Sequence, residues 1–180
     1  MRVPIQWKIT GLVVFILAFS LLILGIVLIS RSISMEESEL REKASLTART
    51  VAELPGIAEN LSINKDINQG ARESIEKLRV INNAVYIVVL NMDRVRLTHP
   101  VTSKIGTVSE GEDEGPAFAE HSYTSKGEGE LGTVIRAFVP IVDQDHRQVG
   151  VVITGYEIPN VAEMLFSLKT EILITAGLAI

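Results

Sequence analysis

Two short patterns carry the most suggestive chemistry in this sequence. Arg96-Leu-Thr-His99 stands just before Pro100, and Arg136 is the one charge in the run Thr133-Val-Ile-Arg-Ala-Phe-Val139. A guanidinium presents a planar fork of donors matched to a carboxylate, and a histidine adds one or two donors whose charge depends on pH. The chain is acidic, with 22 Asp plus Glu against 17 Lys plus Arg and a net charge of −5, so clustered cations point to a small anion. Strand alternation places Val134, Arg136 and Phe138 on one face and Thr133, Ile135, Ala137 and Val139 on the other. Burying an unpaired guanidinium is costly, so Arg136 requires a carboxylate. That carboxylate is either internal, such as Asp93 or Glu157, or carried by a ligand. Arg96 and His99 are three residues apart and converge only if their strand ends or bulges before Pro100.

The other candidate groups are weaker. Glu110, Glu112, Asp113 and Glu114 form an acidic cluster, but the Asp-x-Asp-x-Asp-Gly spacing of a calcium loop is missing. They read as a solvated loop capping a short helix at 116–121. Residues 126–132 are glycine-rich but lack the Gly-x-x-x-x-Gly-Lys-Ser/Thr pattern of a phosphate loop, which makes them a hairpin turn. His121 and His146 lack metal-ligand spacing, and no nucleophile and base stand at usable distance. No cysteine is present, which excludes a disulfide framework and thiol chemistry. No catalytic residue, cofactor or metal is therefore expected. The negative charge argues against nucleic acid, and a membrane-anchored hydrolase is disfavoured.

The elements that must position Arg96, His99 and Arg136 follow from periodicity. The β-branched run at 85–90 predicts a buried strand, 91–93 a turn, and 95–98 the returning strand of a hairpin. Residues 131–142 and 149–156 predict two further strands joined by a polar turn at 143–148. Helices are expected at 31–54, ended by Pro55-Gly56, at 68–82, and at 159–169. These elements describe an α+β domain around a central antiparallel sheet. The stripe Ile33, Leu40, Ala44, Val51 and Leu54 on the first helix is interrupted by Glu37 and Thr47. It fits equally a helix packed on its own domain and a dimer seam.

Residues 9–29 form a charge-free run of 21 residues, long enough to cross a bilayer. Arg2 and Lys8 precede it and Glu36, Glu37 and Glu39 follow it, which places the N-terminus in the cytoplasm, with Trp7 as an interfacial anchor. Residues 171–180 read as the opening of a second membrane helix. The expected organisation is a cytoplasmic tail at 1–8, a membrane helix at 9–29, a sensor domain at 31–170 outside the cytoplasm, and the truncated second span.

The order and spacing of several short motifs resemble one known family. Tyr86-Ile-Val-Val, Arg96-Leu-Thr-His99-Pro100, Ile105-Gly106, Glu110-Gly111, Leu131-Gly132, Arg136-Ala-Phe138-Val-Pro140-Ile141 and Gly150-Val-Val are similar to the citrate and C4-dicarboxylate sensor histidine kinases of the CitA/DcuS type. The resemblance covers nearly the whole chain. It implies a PAS-like (PDC/Cache type) domain between two membrane helices, the first continuous with the domain's long N-terminal helix. It further implies Arg96, His99 and Arg136 as carboxylate ligands, with the glycine-rich turn contributing at Gly129 and Leu131. Citrate sensors of the family resemble Arg-Gly-Lys-Ser-Pro at the later arginine, whereas C4-dicarboxylate members look like Arg-Val-Phe-Thr-Pro. Phe138 and Val88 here point to a dicarboxylate such as malate, fumarate or succinate, with a citrate sensor or a chemoreceptor as alternatives. A small di- or tricarboxylate, the cell membrane, a second copy of the chain and, through a cytoplasmic kinase part, a response regulator are the expected partners. The layout further leads to the expectation that the clustered cations of the empty site repel one another and hold the sheet open until ligand carboxylates draw the Arg96-His99 hairpin toward the Arg136 strand.

Overall fold

The computed structural model describes residues 5–111, 113–129 and 132–158. The expected helix at 159–169, the expected second span at 171–180, and Leu131 lie outside the described residues. The chain divides into two units, Met1–Glu39 and Leu40–Ile180.

Helix α1 (Ile5–Ala52) begins in the first unit. Within it, Trp7–Val27 is a 21-residue stretch apolar enough to cross a membrane, with its side chains exposed. From Leu40 onward α1 belongs to the second unit, where Ala44, Thr47, Ala48 and Val51 are buried at i, i+3, i+4 and i+7 spacing. The alanines let the helix lie close on the sheet. Of the stripe left open between self-packing and a dimer seam, Leu40, Ala44, Val51 and Leu54 thus pack within their own domain. Pro55 follows the helix end and Gly56 turns the chain at φ 81°, a conformation glycine adopts without a Cβ penalty. Helix α2 (Ile57–Asn64), absent from the sequence reading, buries Ile57 and Leu61. Helix α3 (Gln69–Ile81) is N-capped by the Asn68 side chain, which accepts from the Ala71 amide.

Four strands follow: β1 (Tyr86–Asn91), β2 (Tyr123–Gly129), β3 (Gly132–Val142) and β4 (Gln148–Glu157). They form one antiparallel sheet in the order β1-β4-β3-β2. Alternation divides its side chains into two layers. Ile87, Val89, Ile135, Ala137, Val139, Ile141 and Val152 pack under the helices. Val88, Leu90, Phe138, Val151 and Ile153 face the other side, with Ala117 from a 3₁₀ turn (Gly115–Ala119) set against them.

Two expectations about the sheet require correction. Residues 95–98 make only isolated bridges, Leu90 to Arg96 and Val95 to Val108, and are not a sheet strand. Arg94 turns left-handed at φ 59°, and the Asn91 carboxamide accepts from the amides of Asp93 and Val95, which tightens the turn. The Thr98 hydroxyl then substitutes for the ladder: it accepts from Val89 N–H at 2.9 Å and donates to Ile87 C=O at 3.1 Å. The fourth strand is instead β2, part of which the sequence reading took for a glycine-rich turn. Its polar composition suits an edge strand, whose stability comes from pairing with the apolar β3.

Candidate functional site

Antiparallel register builds the floor of the site, because directly opposed residues project from the same face. One row across the sheet reads Tyr86, Gly155, Arg136, Ser125, and the next reads Val88, Ile153, Phe138, Tyr123. Over these rows lies a cavity of about 190 Å³ whose floor is Tyr86, Val88, Arg136, Phe138 and Ile153. Arg96 and His99 line it from the segment after β1, and Ser109, Gly111, Asp113 and Glu114 line it from the acidic loop. A larger cavity of about 640 Å³ lies between the α1–α2 connection and the β3–β4 turn. Its Arg147 is engaged by Asp143 and Asp145 at 3.0 and 2.8 Å, so that groove is not where the predicted cations meet.

Arg96 and His99 reach one cavity because the chain leaves strand geometry immediately after the Leu90–Arg96 bridge. Arg72 of α3 donates to Leu97 C=O and fastens this segment. The Arg96 guanidinium donates to Thr107 Oγ1 at 2.9 Å, to Val108 C=O at 2.8 Å and to Ser109 Oγ at 2.9 Å. Nδ1 of His99 accepts from Val101 N–H at 2.9 Å, which puts the proton of the neutral ring on Nε2.

Arg136 meets Asp113, at 2.8 Å from Nη2 to Oδ2 and 3.3 Å from Nη1 to Oδ1. The carboxylates proposed from sequence are elsewhere: Asp93 pairs with Lys65, and Glu157 is exposed. Asp113 is anchored in turn by Ser125 Oγ at 2.9 Å, and its carbonyl accepts the Tyr123 hydroxyl. Gly127 makes room for this arrangement, since a Cβ there would stand 2.9 Å from Arg136 Cζ. The Nε of Arg136 is buried without a hydrogen-bond partner.

The acidic loop is only in part the solvated cap expected: it leads into the 3₁₀ turn and Glu110 is exposed, but Asp113 and Glu114 turn inward. Glu114 is only 5 % exposed; its Oε1 accepts from Ser109 Oγ, and its Oε2 is buried without a partner. Ser109 therefore links Glu114 to Arg96, and Asp113 holds Arg136 directly. The picture of cations held apart by mutual repulsion is overturned, because a carboxylate is tied to each arginine.

Aromatic groups complete the floor. Tyr123 and Phe138 stack with centroids 4.6 Å apart, and Phe138 is 1 % exposed. Desolvation pushes the hydroxyls of Tyr86 and Tyr123 up to about 12, against the opposing pull of Arg136, so both remain neutral at physiological pH.

The structure thus gathers Arg96, His99, Arg136 and Phe138 around one cavity. Gly129 is the last residue of β2, opposite Gly132, and is not among the described lining residues. The roles of Ser109, Asp113, Glu114, Tyr86 and Gly155 escaped sequence reasoning. Gly155 left a signal: it interrupts the strand expected at 149–156, where a glycine marks a bulge, a bend or a close approach.

Comparison with known proteins agrees with the fold. Residues 33–169 match the family model described as single cache domain 3. A probable C4-dicarboxylate sensor kinase of Bacillus subtilis (strain 168) is 47% identical over 95% of this chain and 32% of its own length. The sensor histidine kinase DcuS of Escherichia coli (strain K12) is 32% identical over 81% of this chain and 26% of its own length. The crystal structure of the E. coli DcuS sensor domain superposes with a TM-score of 0.64 at 33% identity, covering 73% of this chain and 98% of that one. The chain spans between about a quarter and a third of the length of these curated relatives. With an antiparallel sheet, a long leading helix and a family match over residues 33–169, the chain belongs to the single cache domain 3 family and is a sensor domain of the DcuS kind.

Proposed function

We propose that this chain is the input region of a membrane-bound sensor histidine kinase and that its cavity binds a C4-dicarboxylate such as malate, fumarate or succinate. The observation that carries the reading is the convergence of Arg96, His99 and Arg136 on one small cavity floored by Phe138. Two guanidiniums and an imidazole donor suit two carboxylates, and the aromatic and aliphatic floor suits a short carbon chain. The names of the relatives support the same ligand class. In this reading residues 31–170 lie outside the cytoplasm between two spans, the receptor is a homodimer, and the kinase part that addresses a response regulator lies beyond residue 180. This chain supplies recognition and no catalysis.

The test is isothermal calorimetry of the full 180-residue chain in lipid nanodiscs, titrated with succinate, malate and fumarate. Arg136→Ala should weaken binding by about 2 to 5 kcal/mol, as when one partner of a desolvated charge pair is removed. Absence of binding to all three acids, or unchanged affinity in the variant, would refute the proposal.

A further inference from the structure

We propose that Asp113 is an internal competitor for the ligand: its carboxylate occupies the Arg136 fork that a ligand carboxylate must take, and binding releases the acidic loop. The inference rests on the reading of this cavity as a carboxylate site.

Charge comes first. Among the lining residues the two guanidiniums, Arg96 and Arg136, are matched by two carboxylates, Asp113 and Glu114, and Nδ1 of His99 is already taken up as an acceptor by Val101 N–H. A dianion entering that arrangement would meet no net positive charge, and Asp113 would lie beside a ligand carboxylate on the same guanidinium. Like charges so placed repel. Geometry agrees. Asp113 engages Arg136 through both Nη atoms, the two-pronged contact a ligand carboxylate would make. Arg136 Nε, the remaining donor of the fork, is buried without a partner, so the internal pairing leaves the guanidinium incompletely satisfied. A ligand able to use Nε has an advantage that Asp113 lacks. On the other side of the cavity, Glu114 Oε2 is a buried acceptor without a donor, so the loop's own packing is also incomplete.

Among the described residues the carboxylates of the loop are held by few bonds, while its backbone is tied by the Tyr123 hydroxyl on Asp113 C=O and by Ser109 N–H on Arg94 C=O. Beyond Arg136, the Asp113 carboxylate has Ser125 Oγ, and Glu114 has Ser109 Oγ. The ion pair itself is about a quarter exposed on each side, which limits what it contributes. Release would be felt at once by the 3₁₀ turn that follows, because Ala117 packs on the sheet and its carbonyl accepts from Gln148 Nε2 at 2.7 Å, at the start of β4. Competition at one guanidinium therefore connects ligand entry to β4.

The experiment compares wild type with Asp113→Asn in nanodiscs by succinate calorimetry and by hydrogen exchange over residues 109–120. Asn keeps the shape and the Ser125 contact but removes the competing charge. Binding should tighten by about fivefold, the equivalent of a partly exposed ion pair. Exchange over 109–120 should rise on succinate addition in wild type, and should be high without succinate in the variant. If Asp113 were a buttress that positions Arg136, the sign would reverse: weaker or unchanged binding in Asp113→Asn overturns the proposal and leaves the site reading intact. Binding by neither protein overturns both. Should Asp113→Asn fail to fold, Ser125→Ala, which removes one anchor of the same carboxylate, must also tighten binding, and unchanged or weaker affinity there counts against the competition.

Discussion

Gly155 offers the most direct test of how the sheet shapes its cavity. It lies between Tyr86 and Arg136 in the row that crosses all four strands, and the Tyr86 ring lies over it. A Cβ at position 155 would stand 2.5 Å from Cε1 and 2.7 Å from Cε2 of that ring. Ordinary carbon contacts begin near about 3.5 Å, so in Gly155→Ala the ring must lift by about 1 Å, away from the sheet and into the cavity. Overpacking of this kind costs about 1–3 kcal/mol, against which alanine in a strand regains about 0.5–1 kcal/mol over glycine. The middle of these ranges leaves a net loss of about 1 kcal/mol, which should lower the melting temperature by about 2–4 °C in a chain of this size, followed by circular dichroism in nanodiscs. Succinate affinity should fall in the same variant, because the lifted ring takes ligand space. In a Tyr86→Ala background the added methyl group has nothing to displace, and the stability cost of Gly155→Ala should shrink to below about 0.5 kcal/mol. A Gly155→Ala protein as stable as wild type with Tyr86 in place would show that the row packs loosely, and the account of the floor would be wrong.

Other outcomes follow from the same contacts. Citrate should bind more weakly than succinate or malate in calorimetry, since a third carboxylate would be desolvated against Phe138 with no cation to meet it, and Phe138→Lys should narrow the gap; tighter citrate binding by wild type would contradict this. The hydroxyls of Tyr86 and Tyr123 ionise at about 12 in the folded protein, above the ordinary value of about 10 for an unfolded chain. Below pH 10 both states are protonated and stability is complete; between about 10 and 12 the unfolded chain ionises first and stability is lost. Tyrosinate absorbance should therefore rise together with unfolding, and ionisation near pH 10 with native circular dichroism would refute the burial of these rings. Thr47→Val leaves the buried Tyr156 hydroxyl without its 2.8 Å partner and should cost about 1–3 kcal/mol in thermal unfolding; a neutral effect would mean that the hydroxyl finds another partner.

The parts of the fold that were legible in the sequence are those in which local pattern and burial agree. Residues 86–91 and 148–157 are β-branched and sandwiched, so composition alone identifies strands, and Asn68 marks the start of α3 by its capping chemistry. Residues 123–129 were opaque because an edge strand of Thr, Ser, Lys and Gly is made a strand by its neighbour, a tertiary effect without a local signature. Residues 95–98 misled for the opposite reason: their alternation is that of a strand, but Arg94 turns left-handed and Thr98 completes the edge with a hydroxyl. At the candidate site, isolated arginines and a histidine in apolar surroundings were conspicuous. Asp113 and Glu114 were not, because an acidic loop looks alike in sequence whether it faces water or folds over a pair of cations. Only the spacing in three dimensions, with Asp113 on Arg136 and Ser109 between Glu114 and Arg96, distinguishes the two.

The hydroxyl bonds between α1 and β4 have a mechanical consequence. Thr154 Oγ1 donates to Ala44 C=O at 2.9 Å, and Thr47 Oγ1 meets Tyr156 Oη at 2.8 Å. Both bonds are buried and lie one helical turn apart along α1, so they act as two rivets through one plate. Sliding α1 against β4 would shear both at once in a region water does not reach, whereas tilting the riveted pair as a single lever leaves them whole. The compliant seam of the domain is then on the far side of the sheet, where β2 is an edge strand and the acidic loop is held through a few side chains. A displacement starting at Arg136 would be taken up first at that seam, while the two threonine hydroxyls keep this part of α1 and β4 moving together within the domain.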